Sequence, residues 1–249
     1  QHDLTPQGAL VAIDVASGGI RAMVGGRHYP GSSFNRVMAA QRQPGSAFKP
    51  LVYAYAIEHG FTQSDVLLDA PVAFGKGKTE EWRPENFNKG YQGEMSLRHA
   101  LAHSANIPAV RLMEAVGAGS VVGLAHQMGI TAQLDANLAL ALGASEVNLL
   151  ELTAAYTVFA NQGEAITPFA ILEIQDSRGS TLYRAHPQRR VVMSRAGVGK
   201  TASLLQIGID GLLRGRGIFH VSLGRTLERV VEFYDSLFAD LADHVGFDD

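Results

Sequence analysis

The apolar positions of this chain fall into two rhythms. Residues 8–26, "GALVAIDVASGGIRAMVGG", hold two apolar, β-prone runs on either side of Ser17-Gly18-Gly19, which predicts a hairpin. Residues 27–45 are mainly loop, with a short helix expected near Val37 to Ala40. The rhythm then becomes helical. In "SAFKPLVYAYAIEHG", Phe48, Leu51, Val52, Tyr55 and Ala56 recur at helical spacing, Pro50 occupies the first turn and Gly60 is a stop, so a buried helix starting at Ser46 is predicted.

Residues 61–95 are rich in Gly, Pro and Lys and poorly periodic, which suggests a long surface excursion. Residues 95–117 read as helix, break, helix, with Ser104-Ala105-Asn106 at the break and Pro108 opening the second helix. "GSVVGLAHQMG" and "VNLLELTAAYTVFANQG" predict two further helices ended by glycine, and residues 169–185 a second hairpin around Asp176 to Gly179. From 191 the texture changes to strand (Val191 to Met193), Gly-rich loop, helix (Ala202 to Arg214), strand (218–223) and helix (226–245), the order of a parallel α/β unit.

Composition narrows the class. A chain of 249 residues with 46% hydrophobic and 18% charged residues can bury a full core. The formal charge of -3, with no long basic run, gives no electrostatic reason to expect nucleic acid. Cysteine is absent, so disulfides and thiolate metal sites are excluded. No apolar run approaches the roughly 20 residues of a membrane span, and any export signal or anchor is expected upstream of residue 1.

Two polar constellations stand out. Ser46 and Lys49 are three apart, so one helical face carries both. A serine hydroxyl becomes a nucleophile when a neighbouring base takes its proton, and a desolvated lysine can be that base. A helix cap followed by a solvated lysine would look the same locally, but this lysine is followed by "PLVYAYAI", a strongly apolar run. Ser104-x-Asn106 adds a hydroxyl able to relay a proton and an amide able to hold a peptide bond, or else a simple cap. His99 and His103 have metal-ligand spacing without a third ligand, and no metal is expected there.

Ser-x-x-Lys followed by Ser-x-Asn belongs to the signature of penicillin-binding proteins and class A β-lactamases. The chain resembles the transpeptidase domain of class A, bifunctional penicillin-binding proteins. The likeness lies in "ALVAIDVASGGIRAMVGG", "FNRVMAAQRQPGSAFKPLVYAYAIEHG", "WRPENFNKGYQGEMSLRHALAHSANIPAVRL" and "ALALGASEVNLLELTAAYTVFANQG", from about 8 to about 190. It implies an α+β, β-lactamase-like fold with helices around an antiparallel sheet. It also implies a serine DD-transpeptidase that crosslinks peptidoglycan stem peptides, needs no cofactor and is acylated by β-lactam antibiotics. Ser46 would be the nucleophile, Lys49 its base, Ser104 the proton relay and Asn106 the amide that binds the donor peptide. Trp82, Arg83, Asn86 and Tyr91 match the family's loop before the second motif, as groove lining or as loop anchors. The location implied is the periplasmic face of the inner membrane, with any anchor outside this chain.

The third motif, Lys-Thr-Gly, has two readings. Lys200-Thr201-Ala202 is a worn form of it, with Lys200 and Thr201 binding substrate. Ser194 to Thr201, "SRAGVGKT", also approaches a phosphate-binding loop, with Ser194 for its first glycine and Gly197, Gly199, Lys200 and Thr201 as the cradle. The strand–loop–helix context favours the second. The expectation is therefore a truncated transpeptidase domain over 1–190 followed by a βαβα fragment over 191–249, with transpeptidation weak or absent for want of a clear third-motif strand.

Overall fold

The computed structural model describes residues 7–29, 33–75 and 81–193. The predicted first hairpin is present, with β1 (Leu10–Ile13) antiparallel to β2 (Ile20–Val24). Asp14 closes its turn by accepting from the Ser17 hydroxyl at 2.6 Å and the Ser17 N–H at 2.8 Å. The second hairpin pairs β6 (Glu173–Gln175) with β7 (Thr181–Arg184). Its turn is drawn in by Asp176, which accepts the N–H groups of Arg178 and Ser180.

The helices are α1 (Lys49–Glu58), α2 (Leu97–Ala102), α3 (Asn106–Val116), α4 (Ala118–Gln127) and α5 (Leu149–Ala160). Helix α1 lies in the core of the described residues. Phe48, Leu51, Val52, Tyr53, Ala54 and Ala56 are all buried, and the helix packs against α2, α3 and α4. A helix apolar on every side has to be surrounded, which the run "PLVYAYAI" announces. Pro50 sits in its first turn, where the missing backbone donor is not needed. Helices α3 and α4 meet at a bend of 92°, and among the described residues no single helix is long and apolar enough to cross a membrane.

The structure departs from the sequence-based expectations in four places. The helix expected to begin at Ser46 is preceded by a 3-10 turn, Gly45–Phe48, and becomes α-helical only at Lys49. Residues 36–38 form a turn where a short helix was expected: Asn35 caps it, its side chain accepting the Val37 N–H and its carbonyl the Ala39 N–H, but the turn is not continued. The segment 61–95 is more than loop. It contributes β3 (Val66–Asp69) and β4 (Gly93–Ser96), an antiparallel pair whose four-residue strands are too short to show a period. Finally, the strand expected at 191–193 lies at β8 (Arg189–Val191), antiparallel to β5 (Glu164–Ile166), which follows α5 directly.

Among the described residues the strands form four antiparallel pairs. A parallel bridge from Gly19 to Phe169 ties the first hairpin to the segment before the second. Met193, past the end of β8, is buried in the same core as α1. Residues 194–249, with Ser194, Gly197, Gly199, Lys200, Thr201 and the expected βαβα piece, lie outside the described residues.

Candidate active site

The 3-10 turn that carries Ser46 is held from three sides. The Lys49 N–H donates to the Ser46 carbonyl, and the Tyr156 hydroxyl, from α5, donates to the Ala47 carbonyl at 2.6 Å. Burial raises the Tyr156 pKa well above its ordinary range, so the phenol stays a neutral donor. The third hold is a backbone approach. Gly45 N–H donates to the Gly143 carbonyl, and a Cβ on Gly143 would collide with the Gly45 carbonyl oxygen. Gly143 also has φ +69°, a left-handed conformation that favours glycine.

Lys49 is 1% exposed. Its amine donates to the Ser104 carbonyl at 2.5 Å, the Asn106 Oδ1 at 2.6 Å and the Ser104 hydroxyl at 3.1 Å. Such acceptors are how a buried amine is tolerated in its charged form. As a neutral amine the same nitrogen has a lone pair able to take a proton.

Ser104 reaches Lys49 through an unusual backbone. Helix α2 ends with Ser104 N–H donating to the Leu101 carbonyl and Ala105 N–H to the Ala100 carbonyl. This is a reverse turn in which the residue at Ser104 is normally glycine, because it must be left-handed. Ser104 has φ +52°, a conformation that costs a non-glycine residue about 1–2 kcal/mol. The result is that one residue presents both its carbonyl and its hydroxyl to the amine.

Asn106 begins α3 directly after the break, and its amide has a defined orientation. Its Nδ2 donates to the Glu85 carbonyl at 2.8 Å, so Oδ1 is the end that faces Lys49. Behind it lies Asn86, a buried amide with every hydrogen-bonding position used. Asn86 Oδ1 accepts from the N–H groups of Asn106 at 2.8 Å and Ile107 at 3.3 Å, and its Nδ2 donates to Asp69 at 2.7 Å and the Gly90 carbonyl at 2.9 Å. Asp69, at the end of β3 and 1% exposed, also accepts the Gln92 N–H at 2.9 Å.

Of the residues named from the sequence, Lys49, Ser104 and Asn106 are joined by hydrogen bonds, and Ser46 lies in the 3-10 turn that leads into Lys49. Sequence reasoning missed Asp69, Gly143 and Tyr156. For Asp69 a signal existed, a lone acid closing the apolar run "VLL". For the other two there was none, because their partners lie about a hundred residues away in sequence. Of Trp82, Arg83, Asn86 and Tyr91, the four loop residues named from the sequence, Asn86 is the one in the hydrogen-bond network around Asn106. Trp82 pairs its backbone and ring with Phe74, while Arg83 forms an exposed ion pair with Glu81 and Tyr91 is exposed. His99 and His103 stack on each other, with His103 Nδ1 on the His99 carbonyl.

A buried lysine linking a Ser-x-x-Lys turn to a Ser-x-Asn break coincides with a family match. The model of the penicillin binding protein transpeptidase domain covers residues 8–207. The chain belongs to the penicillin-binding protein transpeptidase family. Penicillin-binding protein 1A of Aquifex aeolicus is 36% identical over 241 residues, 96% of this chain and 33% of that protein. Penicillin-binding protein 1A of Pseudomonas aeruginosa is 37% identical over 185 residues, 74% of this chain and 22% of that protein. The chain thus spans a third or less of these relatives. Among solved structures, penicillin-binding protein 1A of Haemophilus influenzae superposes with a TM-score of 0.69 at 40% identity, covering 73% of this chain and 27% of that one. PonA1 of Mycobacterium tuberculosis, at 23% identity and a TM-score of 0.68 over 85% of this chain and 59% of its own, shares the fold. The penicillin-binding transpeptidase fold, with its helices and antiparallel strands, is thus established for this chain.

Proposed function

We propose that this chain is the acyl-transfer part of a peptidoglycan-crosslinking enzyme, working outside the cytoplasm on stem peptides that end in D-Ala-D-Ala. The observation that carries the reading is the buried Lys49 amine, held by Ser104 and Asn106 one turn from Ser46. Lys49 takes the proton of the Ser46 hydroxyl as Ser46 Oγ forms a bond to the carbonyl carbon of the penultimate D-alanine. The bond from that carbon to the terminal D-alanine nitrogen breaks, and the Ser104 hydroxyl, bonded to Lys49, passes a proton to the leaving amine. An amine from a second stem peptide then attacks the ester and frees Ser46. A β-lactam enters the same first step, but its leaving nitrogen stays tethered by the opened ring. Asn106 orients the donor peptide by its amide, and no cofactor takes part.

Lys200 and Thr201 are proposed to bind the substrate carboxylate as the third motif, with Ala202 where the motif carries glycine. In support, the family match runs to residue 207 and the Aquifex aeolicus relative aligns over 96% of the chain. The competing phosphate-loop reading of Ser194, Gly197, Gly199, Lys200 and Thr201, and the division of the chain near 190, draw on the sequence pattern alone. Glycine after the threonine lets substrate approach the backbone closely, and the methyl group of Ala202 would hinder that approach. Turnover should therefore be slow.

A thiolester analogue of the D-Ala-D-Ala donor tests this reading, because free thiol reports each cleavage. Slow thiol release that disappears in Ser46→Ala is the expected result. Release that persists in Ser46→Ala would overturn the assignment of the nucleophile. Rapid dimer formation from stem peptides would overturn the argument from Ala202.

A further inference from the structure

We propose that Asp69 and Asn86 are a positioning pair for acyl transfer, holding the Ser104–Asn106 break against the Lys49 amine; the proposal rests on the acylation reading above. Residues 85 and 86 grip Asn106 twice. The Glu85 carbonyl takes its side-chain Nδ2, while Asn86 Oδ1 takes its backbone N–H and that of Ile107. The first grip aims Oδ1 at Lys49, and the second fixes where α3 starts. Asn86 thus caps α3 from a distant loop, since Ala105, just before the helix, has no side chain able to do so.

Asp69 determines which way Asn86 faces. Its carboxylate and the Gly90 carbonyl are both acceptors, so the NH2 end must lie toward them and the oxygen toward α3. A carboxylate 1% exposed has to be hydrogen-bonded, and Asp69 accepts from Asn86 and from the Gln92 N–H. Asp69 thus holds Asn86, Asn86 holds the Asn106 backbone, and the Asn106 side chain meets the Lys49 amine. Neither residue of the pair is placed on substrate; they act through Asn106.

The chemistry dictates a reciprocal test. Asn86→Asp sets two carboxylates face to face across the present 2.7 Å contact and removes the donor to Gly90. Asp69→Asn adds no charge but turns an NH2 toward one of two donors, so one bond is lost. In the double variant that combines Asp69→Asn with Asn86→Asp, the pair is exchanged. The carboxylate introduced at position 86 still accepts from Asn106 and Ile107. The amide introduced at position 69 donates to that carboxylate and accepts from Gln92.

The readout is acylation of Ser46 by a fluorescent penicillin, resolved into the limiting rate and the half-saturating concentration. Hydrogen exchange across residues 104–110 is followed in parallel. Expected for Asn86→Asp is a limiting rate about tenfold or more lower with half-saturation changed less than about threefold, as for a group that acts in the transition state only. Asp69→Asn should show the same direction with a smaller loss, and it decides the matter if Asn86→Asp does not fold. The exchanged double variant should acylate several-fold faster than Asn86→Asp but stay below the unaltered chain, because the Gly90 carbonyl still lacks its donor. Folded single variants that acylate at the unaltered rate would overturn the proposal, as would a double variant no faster than Asn86→Asp. If the unaltered chain takes no adduct, the acylation reading fails by itself. The pair then stands only if Asp69→Asn speeds exchange at Asn106 and Ile107, and falls if exchange is unchanged.

Discussion

Lys49 concentrates the problem this protein solves. A lysine amine at 1% exposure needs acceptors, and Ser104 and Asn106, more than fifty positions away, supply three of them. Replacing it by methionine keeps the volume but leaves the Ser104 carbonyl and Asn106 Oδ1 without this donor, at about 1–3 kcal/mol each, while removing the cost of burying the charge. These terms oppose each other. Lys49→Met should therefore melt within a few degrees of the unaltered chain and yet acylate about 10²- to 10⁴-fold more slowly, the usual contribution of a general base. Stopped-flow acylation beside thermal melting checks both halves. At this scale the sequence was informative: a lysine inside an apolar run, and Ser and Asn at a helix break, are local patterns. The left-handed φ of Ser104 was not legible, because serine there resembles an ordinary cap and only the bond to Lys49 explains why the strain is kept.

At the scale of elements, the 3-10 turn before α1 depends on other elements. Its close approach to Gly143, in the turn after the 3-10 segment Leu138–Leu142, leaves no room for a methyl group. Gly143→Ala would also strain a left-handed backbone, so a loss of about 1–3 kcal/mol is expected. Because the displaced neighbour is Gly45, beside Ser46, penicillin acylation should slow as well, by more than in a variant equally destabilised elsewhere. Denaturant titration and acylation rates on the same samples separate the two effects. Helix existence was legible from periodicity for all the longer helices, and both hairpins from their turn residues. Helix starts, and the β3–β4 pair, were not. A four-residue strand has too few positions to show a period, and β3 and β4 are set by pairing across 23 intervening residues, from Gly93 back to Asp69.

For the whole molecule, electrostatics predicts acid sensitivity. Glu173 is held down to about 2 by the hydroxyl of Thr181, then by Arg184 and Gln175, and Asp14 is lowered by the Ser17 hydroxyl and N–H and by Arg21. A carboxyl whose pKa is lower in the folded state stabilises the fold above its unfolded value and loses that contribution as pH falls through its folded value. Melting temperature should therefore be flat from pH 7 to about 5 and decline between about 4.5 and 2, the range between ordinary carboxyl values and the lowered ones. Glu173→Gln should show a shallower decline; an identical decline would mean that Glu173 contributes nothing to it. Family membership was legible because motifs and context repeat over most of the chain, whereas the stretch from 191 had two competing readings that local pattern alone could not separate.

Whether Ser46, activated by Lys49, is an acylating nucleophile is tested most directly by intact mass after incubation with a penicillin, beside Ser46→Ala. A single adduct of one penicillin mass, mapped to the peptide containing Ser46 and absent from Ser46→Ala, is the predicted result. A folded chain that gains no mass, or an adduct that survives in Ser46→Ala, would contradict it.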